Sequence, residues 1–147
     1  MSRREEILAR LATILPDVTG VNYFLHNDLS VPSTSEKLPC VVMFDGDEQA
    51  EESSFGRKRP AIAPNIIYMT PEVYLVLENN PGDVGTSLNA IMHRIVSTVL
   101  TDDQLLGLAH DGDIRYEGLT SALSLGRSME GEMGINLTIA YQSDFSL

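Results

Sequence analysis

Near the C-terminus, Ile135, Leu137, Ile139 and Tyr141 alternate with Asn136, Thr138, Ala140 and Gln142. Successive side chains of a strand point to opposite faces, so this stretch specifies a strand with one apolar and one polar face. Such a strand belongs in a sheet packed on one side and wet on the other, which is the habit of antiparallel sheets. The principal core helix is written a little earlier. Val84, Leu88, Ile91, Met92, Ile95, Val96, Val99 and Leu100 form a wide apolar stripe, and Asp83, after the Asn80-Pro81-Gly82 turn, is placed to cap it.

The remaining segments supply more of the same parts. Ser2 and Glu5 form a capping box, and Ile7, Leu8, Leu11, Ile14 and Leu15 follow at helical spacing until Pro16. Val21, Tyr23 and Leu25 alternate with Asn22, Phe24 and His26 as in a strand with mixed faces. Residues 28–37 are polar and read as a loop. Leu38 to Phe44 is the short apolar run of a central strand, and Asp45-Gly46-Asp47 is expected to end it in a turn. Asn65 to Met69 and Val73 to Leu77 are one bent strand or two short ones. The proline between them, Pro71, argues for an edge or a bulge, because it donates nothing to a ladder. Thr101 and Gln104 repeat the capping-box spacing, so a short helix to about Leu108 follows a sharp change of direction near Thr101. After a turn at Asp111-Gly112, Ile114 to Glu117 begins the C-terminal strand region. We expect an α+β fold in a single domain spanning 1–147, with a mixed, mainly antiparallel β-sheet, two main helices packed on one face, and a protruding charged loop or hairpin. A chain of 147 residues buries about two thirds of its unfolded surface, which leaves no room for a second core.

Composition narrows the function. With 21 acidic against 10 basic side chains the net charge is −11, which disfavours phosphate-backbone binding by the surface as a whole. A plain solubility role explains this charge first, and a surface near which DNA passes without sticking is compatible with it. Cys40 is the sole cysteine, so an intramolecular disulfide and a Cys-rich zinc site are both ruled out; within an apolar run it reads as a small buried hydrophobe. Residues 1–10 lack a signal-peptide core and no stretch has the length of a membrane span, so we expect a soluble protein made in the cytoplasm, without membrane contact.

Nothing local carries catalysis. His26, His93 and His110 are too widely spaced for a local metal motif, and we expect His26 and His93 at the surface. Asp45-Gly46-Asp47 and His110-Asp111-Gly112-Asp113 bring carboxylates close together, but neither continues with the further oxygen ligands of a calcium loop. Phosphate-binding loops of the Walker type and Gly-x-Ser-x-Gly turns are missing too. The chain therefore reads as non-catalytic, with no catalytic residue, metal or cofactor assigned; a small metal-dependent enzyme built on the Asp clusters is the minority alternative. Charge segregation suggests contact surfaces instead. Asp45, Asp47, Glu48, Glu51 and Glu52 lie just ahead of Arg57, Lys58 and Arg59, and a second mixed-charge segment carries Arg127, Glu130 and Glu132. Opposite charges on separate segments set the register between neighbouring subunits, and we take these residues as candidate subunit or partner interface.

The order of these features resembles a known family. A short N-terminal helix precedes Leu38-Pro39-Cys40-Val41-Val42-Met43-Phe44 and Asp45-Gly46-Asp47-Glu48. A long amphipathic helix, the segment from Asp111 to Gly118 and the segment from Gly126 to Glu132 then lead into a final strand. Across nearly the full chain this resembles the tail terminators of long-tailed bacteriophages, of the lambda-like tail-completion type. The resemblance implies a sheet with helices packed on it and a homohexameric ring seated on the last ring of tail-tube protein. There it stops polymerisation and offers the docking face for the head connector, while DNA passes through without specific binding. It implies no cofactor, and it places the protein in the host cytoplasm during assembly and in the virion tail afterwards. Head-closure and other neck proteins share this size and layout and are the alternative.

Overall fold

A computed structural model describes residues 1–28, 38–51, 65–77, 84–121 and 132–143. The first helix, α1 (Arg3–Ile14), starts as its sequence predicts. The Glu5 N–H donates to the Ser2 hydroxyl, and the Ser2 N–H donates to the Glu5 carboxylate. Its apolar positions Ile7, Leu8, Leu11 and Ile14 are all buried. Five strands form one sheet in the order β1-β2-β3-β5-β4, comprising β1 (Tyr23–His26), β2 (Cys40–Ala50), β3 (Ile66–Val76), β4 (Ile114–Ser121) and β5 (Glu132–Gln142). Only the β1–β2 pairing is parallel; the other three are antiparallel. Two further helices, α2 (Val84–Thr101) and α3 (Asp103–Leu108), separate β3 from β4. The fold is α+β with a mixed, mainly antiparallel sheet.

Alternation along the strands assigns the two faces. Val41 and Met43 of β2, Ile67, Met69, Val73 and Leu75 of β3, and Ile135, Leu137, Ile139 and Tyr141 of β5 share one buried cluster. Ile7, Leu11, Ile91, Ile95, Val99 and Leu105 join it from the helices. The helices thus cover one face of the sheet. Out-of-phase positions face the other way. At the β1–β2–β3 end they form a second, smaller apolar cluster, in which half-buried Tyr23, Leu25, Phe44, Tyr74 and Val76 surround Leu38, Cys40 and Val42.

Several sequence expectations need correction. The strand beginning near Leu38 does not end at Asp45-Gly46-Asp47; it runs on to Ala50. Its pairing with β3 shifts register between Phe44 and Asp47, so the Asp-Gly pair makes a β-bulge inside a strand rather than a turn after it. Gly46 takes φ +71°, and a Cβ there would lie 2.0 Å from the Thr70 carbonyl oxygen, so two backbones meet where only glycine fits. This strand lies one place in from the edge, and β3 holds the centre. Pro71 therefore sits in the central strand, not at an edge. The bulge half of that expectation holds, because Pro71 faces the irregular stretch of β2, where no ladder bond is required.

The short helix α3 is capped by Asp102 rather than by Thr101 with Gln104. The Asp102 carboxylate accepts the Leu105 N–H at 2.9 Å, while Thr101 closes α2 and donates its hydroxyl to the Ser97 carbonyl. The Asp111-Gly112 turn is present as a single 3-10 turn, with both residues at positive φ. Asp83, the expected cap of α2, lies outside the described residues, as does most of the 28–37 loop.

Candidate functional site

The acidic run that follows the apolar part of β2 is divided by the bulge, and its members do different work. Asp45 sits against β1. Its carboxylate is 2.6 Å from His26 Nε2, its N–H donates to the Asn27 side-chain oxygen, and Asn27 adopts a positive φ to reach it. Partial burial pushes the Asp45 carboxyl up, but hydrogen bonds with His26 and Asn27 and the charges of His26 and Arg4 outweigh it, leaving the group below its ordinary value. Glu48 lies on the helix side. It accepts Arg4 Nη1 at 2.7 Å and the Tyr141 hydroxyl at 3.1 Å, while the other Arg4 nitrogen donates to the Gly46 carbonyl at 2.9 Å. Arg4 thereby fastens the start of α1 to the bulge. Asp45 and Glu48 are structural anchors as well as candidate interface residues.

Asp47 and Glu51 have no such partner among the described residues. Asp47 is exposed and pairs in register with Thr70, which puts it on the face away from the helices. Glu51 is exposed just past the end of β2, held by a backbone bond from its N–H to the Ile66 carbonyl. Glu132 is the first residue of β5, opposite Val76, so it belongs to a strand and not to the connecting segment in which the sequence placed it. Glu52, Arg57, Lys58, Arg59, Arg127 and Glu130 lie outside the described residues.

Glu72 and Glu117, which no charge run in the sequence marks, stand close to Asp47. Glu72 follows Pro71 on β3. Glu117 is the extra residue of a second bulge, where the β4–β5 pairing steps from Tyr116 to Gly118. Asp47, Glu72 and Glu117, together with Thr70, Asn136 and Thr138, line a groove of about 270 Å³ on the face of the sheet opposite the described helices. All three carboxylates are exposed, and none forms a salt bridge among the described residues. The groove exists because both neighbouring strand pairs are interrupted at one level, and bulges re-aim the side chains they carry. A period-two count continued through Pro71 would have placed Glu72 on the outer face; the Glu117 bulge has no comparable signal.

The Asp residues of the enzyme alternative do not converge. Asp113 is held by Arg115 through two bonds of 2.8 Å, and that guanidinium lies 5.5 Å from the centre of the Tyr68 ring. Asp111 is exposed at the 3-10 turn beside His110, and Asp45 is engaged with His26. Among the described residues no three His, Cys, Asp or Glu side chains are grouped as a metal ion requires. His93 is exposed on α2 and Cys40 is fully buried, as their sequence contexts predict. No described helix is long and apolar enough to cross a membrane.

No protein-family model matches the sequence, and no curated protein matches it. Among solved structures, the chain is similar to the sheath/tube terminator of PVC, an extracellular contractile injection system, in its extended state. The match has a TM-score of 0.57 at 12% identity and covers 96% of this chain. The chain spans 56% of the length of that terminator. At this identity the likeness is one of fold.

Proposed function

We propose that the chain is a tail-terminator subunit, a non-catalytic structural protein that caps a phage-type tail tube. The observation that carries this reading is the shared fold: 96% of the chain superimposes on a protein whose own role is to terminate a sheath and tube. The order of sequence features supports the same assignment independently, since it resembles the terminators of long-tailed phages.

Symmetry supplies the mechanism. A head-to-tail contact that closes after a full turn makes a ring, and the two faces of such a ring differ. One face binds the last ring of tube protein. The other, not repeating the tube's own interface, ends polymerisation and receives the head connector. We take the ring to be a hexamer. Its acidic surplus suits a channel through which DNA passes without being held.

The test is removal of the protein from an otherwise complete tail assembly, followed by electron microscopy. Tubes of uncontrolled length that fail to join heads are expected. Tubes of normal length beside filled heads that leak their DNA would overturn the terminator reading in favour of head closure.

A further inference from the structure

We propose that the open edge of β4 is a docking site for an extended strand of a different protein, one whose side chains alternate between apolar and basic. The incoming strand continues the sheet beyond β4, beneath the flank of α2. This adds a partner surface to the terminator reading without depending on it.

β4 is the last strand of the sheet, bonded to β5 on one side and to no described element on the other. An edge of this kind carries a row of free N–H and C=O groups, and soluble proteins usually blunt it with charge. Here it carries apolar side chains as well. Tyr116 and Leu119 are 40% and 38% exposed, and with Met1 at the terminus they are the large hydrophobics so exposed among the described residues. They pair with Leu137 and Ile135 of the helix-side core, and paired residues point to the same face. Both therefore stand on the helix side of the sheet, at the margin of its core. The helix above supplies the matching wall. α2 packs on β4 and β5, and α1 lies along its other flank, where Ile14 and Val18 share a groove with Arg94, Ser97 and Thr98. Met92, Val96 and Leu100 recur at helical spacing along the flank turned away from α1 and are only half-buried. The apolar layer between helix and sheet thus ends in two open walls with a free strand edge beside them.

Free backbone groups select an extended strand, and the two walls select apolar side chains at every second position of it. The other face of such a strand lies beside Glu117, which points to the opposite side of the sheet, is exposed and forms no salt bridge among the described residues. The nearby Arg115 is already held by Asp113. A lysine or arginine of the incoming strand therefore finds a partner there. A second copy of the chain fits less well, since it carries a net charge of −11 and would bring its own Glu117 to the same edge.

The probe is a synthetic peptide in which valine alternates with lysine, carrying a fluorophore and titrated with the full chain. Anisotropy reads binding and hydrogen exchange locates it. The wild type is expected to bind and to slow exchange of the β4 amides that β5 leaves free. A peptide with glutamate in place of lysine, and a lysine peptide with every amide N-methylated, should each bind at least about tenfold more weakly. The same loss is expected for the lysine peptide on a chain carrying Tyr116→Ser and Leu119→Ser, with folding checked by circular dichroism. Should that pair unfold the chain, Glu117→Lys replaces it, and the preference between lysine and glutamate peptides should then reverse. No binding of the lysine peptide, equal binding of the glutamate peptide, binding that survives N-methylation or the serine pair, an unreversed preference in Glu117→Lys, or protection away from β4 would each overturn the inference. So would protection of the same β4 amides that grows with protein concentration in the absence of peptide, because a second copy would then be the occupant. Tube capping is read separately by the removal experiment, so a chain that caps tubes while ignoring the peptide sinks this site and leaves the terminator reading intact.

Discussion

Asp102 does two jobs with one carboxylate. It caps α3 by accepting the Leu105 N–H, and it receives a two-pronged hydrogen bond from Arg10 of α1 at 2.8 and 2.7 Å. The Arg10 guanidinium holds the carboxyl below the ordinary aspartate value of 3.8, partial burial opposes this, and the Leu105 N–H adds to the lowering. A depressed folded-state pKa contributes stability that is present above 3.8 and is lost as pH falls through the lower folded value. Asp102→Ala should cost about 1–2 kcal/mol at neutral pH through the lost cap alone. Asp102→Asn keeps an effective cap and should cost less, and its deficit against the wild type should begin to shrink as pH falls below 3.8 and vanish once pH passes the lower folded value, as read in acid-titrated urea melts. A deficit independent of pH would show that the ionised pair with Arg10 does not matter. The cap was half legible in the sequence. A capping box is a local device, and Ser2 with Glu5 behaves as its spacing says; at the α2–α3 corner Thr101 and Asp102 compete for the same job. The choice of Asp102 follows from Arg10, which is 92 residues away and invisible to any local pattern.

The bulge in β2 shows what a strand can hide. Asp-Gly is a turn signal because both residues tolerate positive φ, yet the same tolerance serves a bulge, and only the partner strand decides between them. Here β3 approaches so closely that the glycine is obligatory. Gly46→Ala is expected to destabilise by more than about 2 kcal/mol, because it combines a left-handed backbone with a collision against the Thr70 carbonyl. Gly107 makes the contrast. It lies exposed in α3 with nothing within 4 Å of where a Cβ would sit, so Gly107→Ala should stabilise by roughly 0.5–1 kcal/mol in the same urea titrations. Elements with a clear period were legible, namely α1, α2 and β5. The topology was not, because β1 pairs in parallel with β2 and the sheet inserts β5 between β3 and β4. Pairing partners depend on which edge is open when strands meet, and a period does not encode that. The same topology predicts a gradient of hydrogen exchange. Leu75 lies in β3, paired on both sides, and should exchange close to the global unfolding limit, whereas Phe24, in a four-residue edge strand, should exchange orders of magnitude faster. Equal protection at the two sites would mean that β1 opens only with the whole sheet.

At the scale of the whole molecule, charge pulls assembly in two directions. Each copy carries a net charge of −11, so bringing copies together raises a repulsion that acts across the full subunit surface. Opposite charges that meet across a subunit contact attract over only a few ångströms. Salt separates the two by distance. The Debye length falls from about 30 Å at 0.01 M to about 8 Å at physiological ionic strength, which quenches subunit-wide repulsion while sparing close pairs, and only near 1 M does it reach about 3 Å and erode the pairs themselves. Association should therefore strengthen as salt rises toward the physiological range and weaken again toward molar concentrations, a maximum readable by light scattering across a salt series. A wild type whose association falls steadily from the lowest salt would mean that close ion pairs outweigh the net charge at every ionic strength. One whose association climbs steadily to molar salt would mean that apolar burial carries the interface, with ion pairs adding no affinity.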